Sequence, residues 1–178
     1  MGTHDAYAMA HILAAYRKIG VEPSVMSVQS LPDGLDNHLT CIGGHAVNRL
    51  TRAHLTLFCP RFVPFETSQE ATGPRTGYRC GSDDFVDSED RAWGFLVKLG
   101  PKLTGRLTST ILVWGLGPLG TSAAGYVLSD LHRRLPAENQ DSYFIAIPVQ
   151  TVIGYRGVSS DFLDLTTRVW PPPTSASI

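Results

Sequence analysis

The stretch that most constrains this chain runs from Ser109 to Leu135. Ser109 to Trp114 is a compact run dominated by apolar and β-branched residues, the signature of a buried strand. It gives way to Gly115-Leu116-Gly117-Pro118-Leu119-Gly120-Thr121-Ser122, after which Ala124, Val127, Leu128, Leu131 and Leu135 follow at spacings of 3, 1, 3 and 4. Those intervals trace one stripe of a helix, which Pro136 ends. Strand, glycine turn and helix in that order make one unit of an α/β fold.

A second unit precedes it. Leu39-Thr40-Cys41-Ile42 reads as a buried strand that stops at Gly43-Gly44, and Val47, Leu50, His54 and Leu57 recur at intervals of 3, 4 and 3, predicting a helix from about Ala46 onward. Near the start, Met9, Ile12, Leu13, Tyr16 and Ile19 line one face of a helix over Asp5 to Ile19, with Thr3 as its cap and Gly20 after its last turn. Further strands are expected over Ser24 to Val28, stopped by the turn Leu31-Pro32-Asp33-Gly34, and over Ala92 to Leu99, Tyr143 to Val149 and Phe162 to Val169. Strands alternating with amphipathic helices imply right-handed crossovers. The expected fold is a Rossmann-like three-layer α/β sandwich with a mostly parallel sheet.

With 178 residues, 43% of them hydrophobic, the chain suits a single domain, placed here at 1–170. Within it, 58–91 holds Pro60, Pro64, Gly73, Pro74, Gly77, Gly81 and an acidic run from Asp83 to Asp90 without a stable period, and is expected as an irregular, solvated insertion with a hairpin around Tyr78. Residues 171–178 read as a disordered, proline-rich tail.

Charge narrows the partners. Only 17% of residues are charged and the net charge is -1, so no broad positive field exists to hold a nucleic acid by counterion release. The N-terminus lacks the basic start and apolar run of a secretory signal, and no stretch reaches the about 18 apolar residues of a membrane span, which makes the cytoplasm the expected location. Cys41, Cys59 and Cys80 are too widely spaced for a zinc pattern and read as reduced thiols; the six histidines are scattered, so no metal site is expected.

The chemistry points to the glycine loops. A helix that begins just past a strand presents unsatisfied N–H groups and partial positive charge, and glycine lets the backbone approach a ligand closely. Gly115, Gly117 and Gly120 are spaced G-x-G-x-x-G between a strand and a helix, and this stretch resembles the Rossmann-type nucleotide-binding superfamily. That resemblance implies phosphate held at the start of the helix. It departs from the dinucleotide pattern in two places: the strand Tyr143 to Val149 ends in Gln150-Thr151 with no carboxylate for a ribose, and Pro118 removes one N–H. Read as a P-loop, the same residues put Thr121 where lysine is required, so nucleotide hydrolysis of that kind is not expected. Ser122 is a near miss to a hydrolase elbow, and the simpler role for Thr121 or Ser122 is as helix cap.

The second loop places His45 and Asn48 at the first turn of its helix, His45 as donor, acceptor or general base. The alternative is that Gly43 and Gly44 serve packing and Asn48 caps. Arg49 and Arg52 could add phosphate contacts or simply be solvated, and Trp114 could stack on a base or pack in the core. The expected ligand contacts are thus Gly43, Gly44, His45, Asn48, Gly115, Gly117, Gly120, Thr121 and Ser122, with no cofactor assigned. The expected function is a cytoplasmic sensor or regulatory domain for a nucleotide-like or other phosphorylated small molecule. Two alternatives stay open: an enzyme acting on a nucleotide, for instance cleaving an N-glycosidic bond with His45 and a carboxylate from 83–90, and a protein-interaction module using Tyr155 and Trp170. A homo-oligomer or a protein partner is compatible with each.

Overall fold

The computed structural model describes residues 3–27, 29, 37–67, 75–135, 141–159 and 161–170. In chain order these form helix α1 (Thr3–Lys18), β1 (Leu39–Ile42), α2 (Arg49–Phe58), β2 (Phe62–Thr67), β3 (Arg75–Cys80), β4 (Asp83–Phe85) and β5 (Arg91–Leu99). Then come α3 (Pro101–Thr104), β6 (Thr110–Gly115), α4 (Pro118–Asp130), β7 (Tyr143–Gln150), β8 (Leu163–Asp164) and α5 (Thr166–Val169). The expected turn at Leu31–Gly34, the helix stop at Pro136 and the tail 171–178 lie outside the described residues.

The mostly parallel Rossmann-like sheet is not what forms. The main sheet is mixed, in the order β1-β6-β5-β7-β8, and only β1 and β6 pair in parallel. Strand β5 runs antiparallel to both β6 and β7, and β8 antiparallel to β7. The physical reason lies in the connections. Strands β5 and β6 are joined by the short 100–109 segment, and antiparallel neighbours need no crossover helix. Strands β6 and β7, joined through α4, do point the same way, since both oppose β5. The helix constrains the direction of the two strands it links, not what inserts between them, and β5 takes that central place.

The 58–91 region also differs from its reading. It builds a second, antiparallel sheet in the order β2-β3-β4, and Tyr78 sits in the middle of β3, opposite Pro64 and Phe85, rather than at a hairpin tip. Its proline is tolerated because β2 is an edge strand. Residues 24–27 form no strand, α2 starts at Arg49 rather than Ala46, and the strand expected over Phe162 to Val169 is two residues of β8 followed by the single turn of α5.

Alternation along the central strands sorts the core into two faces. Leu96, Val113, Ile145 and Ile147 meet Ile12 of α1 and Ala123, Ala124 and Val127 of α4. On the opposite face Phe95, Leu112, Trp114 and Phe144 meet Leu55 of α2, the small sheet's Phe62, Tyr78 and Phe85, and Leu165 and Val169. Three layers therefore remain, but the third is an antiparallel sheet flanked by short helices. Among the described residues, no helix is long and apolar enough to cross a membrane.

Candidate functional site

Because β1 and β6 are parallel neighbours, with Leu39 opposite Thr110 and Ile42 opposite Val113, their C-terminal ends lie side by side. The chain then leaves them in opposite directions: past β1 it enters α2, which packs on the small-sheet face, and past β6 it enters α4, which packs on the α1 face. Such a divergence opens a crevice at the strand ends. Here the crevice is a cleft of about 280 Å³, walled by Gly43 to Val47, by Gly115 to Pro118 with Thr121, and by Thr76 and Tyr78 of β3, with Asp5 of α1 also lining it. The two glycine loops are thus brought together, while Asn48, Gly120 and Ser122 are not among the lining residues.

The β1 loop is tied down by the residues that shape it. Gly43 adopts a φ of 100°, the left-handed region that favours glycine, and its N–H donates to the Val113 carbonyl at 3.0 Å. Asn48 is wholly structural: its Oδ1 accepts from the Leu50 and Thr51 amides at 3.0 and 3.2 Å, and its Nδ2 donates to the Ile42 carbonyl at 3.0 Å. The first turn of α2 is therefore sealed by its own cap, leaving little there for an anion.

In the β6 loop the three glycines divide their work. A Cβ on Gly115 would lie 2.5 Å from the Gly120 carbonyl carbon, and one on Gly120 would lie 2.7 Å from the Trp93 carbonyl carbon, so these two serve close approach of α4 to the sheet. Only Gly117, the N-cap of α4, faces open space, with the Asp87 carboxylate as its one near neighbour. Several of the amides expected to grip a ligand are occupied. Gly115 N–H donates to Thr121 Oγ1 at 3.0 Å, Leu116 N–H to the Trp93 carbonyl at 3.1 Å, and Thr121 N–H to the Gly117 carbonyl at 3.2 Å. Ser122 is fully buried. What stays open is narrower than the motif implies: the amides of Gly117, Leu119 and Gly120 have no acceptor among the described residues.

Several groups that no motif announced complete the site. Tyr78 reaches across from the small sheet so that its hydroxyl forms a short hydrogen bond with His45 Nδ1. Burial pushes the Tyr78 pKa up to about 12, so the phenol is protonated. Burial, and secondarily the Arg52 guanidinium, lower the pKa of His45; Arg52 Nε also donates to the His45 carbonyl at 2.9 Å. Asp87, on the segment after β4, accepts from the Trp93 amide at 2.9 Å through Oδ1. Nothing in the sequence singles out Tyr78, Asp5 or Thr76 as site residues, since they are joined to the loops only by tertiary folding; Asp87 belongs to the 83–90 run from which a carboxylate was expected, and folding decides which one stands beside Gly117. Trp114 is not available to stack on a base: it is fully buried and stacked on Phe95 with ring centroids 5.2 Å apart.

Elsewhere in the acidic run, Asp84 pairs with Arg79 through two hydrogen bonds of 2.6 and 2.7 Å, Asp83 pairs with Arg168, and Asp90 accepts from Ser88 Oγ at 2.6 Å. Among the described residues no three His, Cys, Asp or Glu side chains converge to hold a metal ion. The three cysteines are free and buried, and burial raises Cys41 to about 11 and Cys59 to about 12, so their thiols are poor nucleophiles.

The lowered histidine pKa values give a pH dependence. His54, buried on α2, is also lowered, by burial first, despite the bond from its Nδ1 to the Leu50 carbonyl at 2.8 Å. With folded values below the unfolded 6.5, both rings stay neutral to lower pH in the folded chain, and the unfolded chain binds more protons as pH falls past 6.5. Their stabilisation is full above pH 6.5 and is lost as pH falls from there toward the folded values. Urea melts should show a lower midpoint at pH 5 than at pH 7.5, and His54→Asn should flatten that slope; an unchanged midpoint contradicts it.

No family model, no curated protein and no solved structure matches the chain.

Proposed function

We propose that the chain is a cytoplasmic sensor or regulatory domain that binds a nucleotide-like or other phosphorylated small molecule in the cleft between its two glycine loops. The observation that carries this reading is the divergence at the ends of β1 and β6, where the chain departs to opposite faces of the sheet and leaves the cleft between α2 and α4. It survives the loss of the parallel sheet, because one parallel pair is enough to create it. The anionic group lies at the open amides of Gly117 and Leu119, in line with the dipole of α4. Binding is favoured over catalysis because the cleft holds neither an activated thiol nor a metal cluster among the described residues.

Asp87 supplies the sharpest test, since its carboxylate stands beside Gly117, where a phosphate would come. Asp87→Asn keeps an acceptor for the Trp93 amide and removes the charge. It should tighten binding about fivefold, the equivalent of about 1 kcal/mol for one nearby unit charge in a screened site. Thermal-shift titration with nucleoside monophosphates, the matching nucleosides and inorganic phosphate reads this directly: a saturable rise with the phosphorylated compounds, larger in Asp87→Asn, supports the proposal. No response to any of them, or a response to nucleosides alone, rejects it. Release of free base from a responding nucleotide assigns the enzyme instead.

A further inference from the structure

Tyr78 joins the cleft to the buried core. It is 2% exposed, and it meets the buried Trp114 edge-on with ring centroids 6.2 Å apart; the Trp114 indole nitrogen itself has no hydrogen-bond partner among the described residues. A phenol has one hydrogen to give. The acceptor in place for it is His45 Nδ1.

That arrangement settles which nitrogen of the ring carries the proton. A neutral imidazole has one donor and one acceptor nitrogen, and the partner of one dictates the other. If Nδ1 held the proton, the phenol hydrogen would have no acceptor among the described residues, a costly state for a group that is 2% exposed. Nδ1 is therefore the acceptor and Nε2 carries the hydrogen. The ring lines the cleft, and Nε2 has no partner among the described residues.

Resting on the reading of the cleft as the ligand site, we infer that His45 meets its ligand as a neutral Nε2–H donor, locked by Tyr78, and that the group it recognises is an acceptor oxygen of phosphoryl, carboxylate or carbonyl type. His45 is thereby a specificity residue, not a general base. It adds a side-chain donor to the open amides of Gly117 and Leu119, so the donors of the cleft suit an oxygen-rich ligand.

The test is a long-range proton–nitrogen correlation spectrum of the isotope-labelled full chain without ligand, at neutral pH, with the His45 signals identified by their loss in His45→Gln. The expected pattern is a protonated-type shift at Nε2 and an unprotonated, hydrogen-bonded shift at Nδ1. Tyr78→Phe, which keeps the ring and loses only the hydroxyl, should shift both nitrogens to the averaged positions of a tautomer mixture. A hydrogen on Nδ1, an imidazolium, or an unchanged pattern in a folded Tyr78→Phe overturns the inference; should that variant not fold, the wild-type spectrum decides. Because these spectra need no ligand, a wrong tautomer with intact phosphate binding sinks this inference alone, and a right tautomer without binding sinks only the proposed function.

Discussion

Gly120→Ala should cost about 3 kcal/mol or more, the upper end for forcing an extra methyl into a packed contact. In a domain of this size that corresponds to a fall in Tm of about 6 to 12 °C. The added Cβ would enter the space of the Trp93 carbonyl group, 2.7 Å from its carbon, and would come within 3.1 Å of the Gly115 Cα. All three are backbone atoms, and Trp93 belongs to the central strand of the sheet, hydrogen-bonded on both sides. No side chain can swing away, so α4 must lift. Lifting it uncovers Ala123, Ala124 and Val127, which are fully buried against the sheet. The contact is a cluster of glycines rather than one: Gly94 and Gly115 face each other across β5 and β6, and a Cβ on Gly94 would lie 2.5 Å from the Gly120 carbonyl oxygen. Gly117→Ala is the control, because Gly117 is extended at φ -128° and its new methyl would meet only the Asp87 carboxylate at 3.1 Å. It should change the urea midpoint little. Equal midpoints for Gly120→Ala and wild type would mean that α4 does not sit this close to the sheet.

The same glycines show how far the sequence could be read. The G-x-G-x-x-G spacing located the turn between β6 and α4 correctly, because the steric demand of a tight strand-to-helix turn is local and leaves a local trace. Its middle glycine is the open one, and its outer two are packing residues, a division that depends on how near Trp93 comes and so is invisible along the chain. Gly94 belongs to that cluster yet lies in a strand-like run, where alternation alone gives it no special role. The order of the sheet escapes the sequence for a related reason. Residues 39–57 and 109–135 each carry the pattern of strand, glycine turn and helix, and in both places those elements form. What orders them is where β5 inserts, which follows from burial on both faces of its apolar run and not from alternation. The proline- and glycine-rich 58–91 region lacked a visible period because its strands are short and its buried residues, Phe62, Tyr78, Cys80 and Phe85, are carried by three separate strands. For the site, Gly43, Gly44, His45, Gly115, Gly117 and Thr121 were legible and do share the cleft; Tyr78 was not, since only the docking of the small sheet brings it there, and which carboxylate of 83–90 comes near, Asp87 beside Gly117, is decided by folding alone.

That docking makes Tyr78→Ala the second large effect, expected at about 3 to 5 kcal/mol for removing a buried ring and leaving a cavity. The Tyr78 ring stacks on Phe62 with centroids 4.5 Å apart and meets Phe95 at 5.4 Å and Trp114 at 6.2 Å edge-on. Phe62 and Tyr78 come from the small sheet, Phe95 and Trp114 from the main one, so this cluster is the joint between the two. Aromatic pairs in such offset and edge-to-face arrangements add about 0.5 to 1.5 kcal/mol each beyond the area they bury. The joint also shapes the site, because the far end of the ring carries the hydroxyl that meets His45 in the cleft. Truncation to alanine therefore removes a wall of the site together with the packing, whereas Tyr78→Phe leaves the joint intact and gives up only the hydroxyl, at about 1 to 3 kcal/mol for the buried groups left without their partner. Hydrogen exchange separates the two. In Tyr78→Ala the amides of β2, β3 and β4 should lose protection well before those of β5, β6 and β7, which keep α1 and α4 on their other face. In Tyr78→Phe the two sheets should stay protected together. If phenylalanine costs as much as alanine, the joint is held by the polar chain through His45 and not by the rings, and the small sheet is then fastened to the main one at the cleft itself.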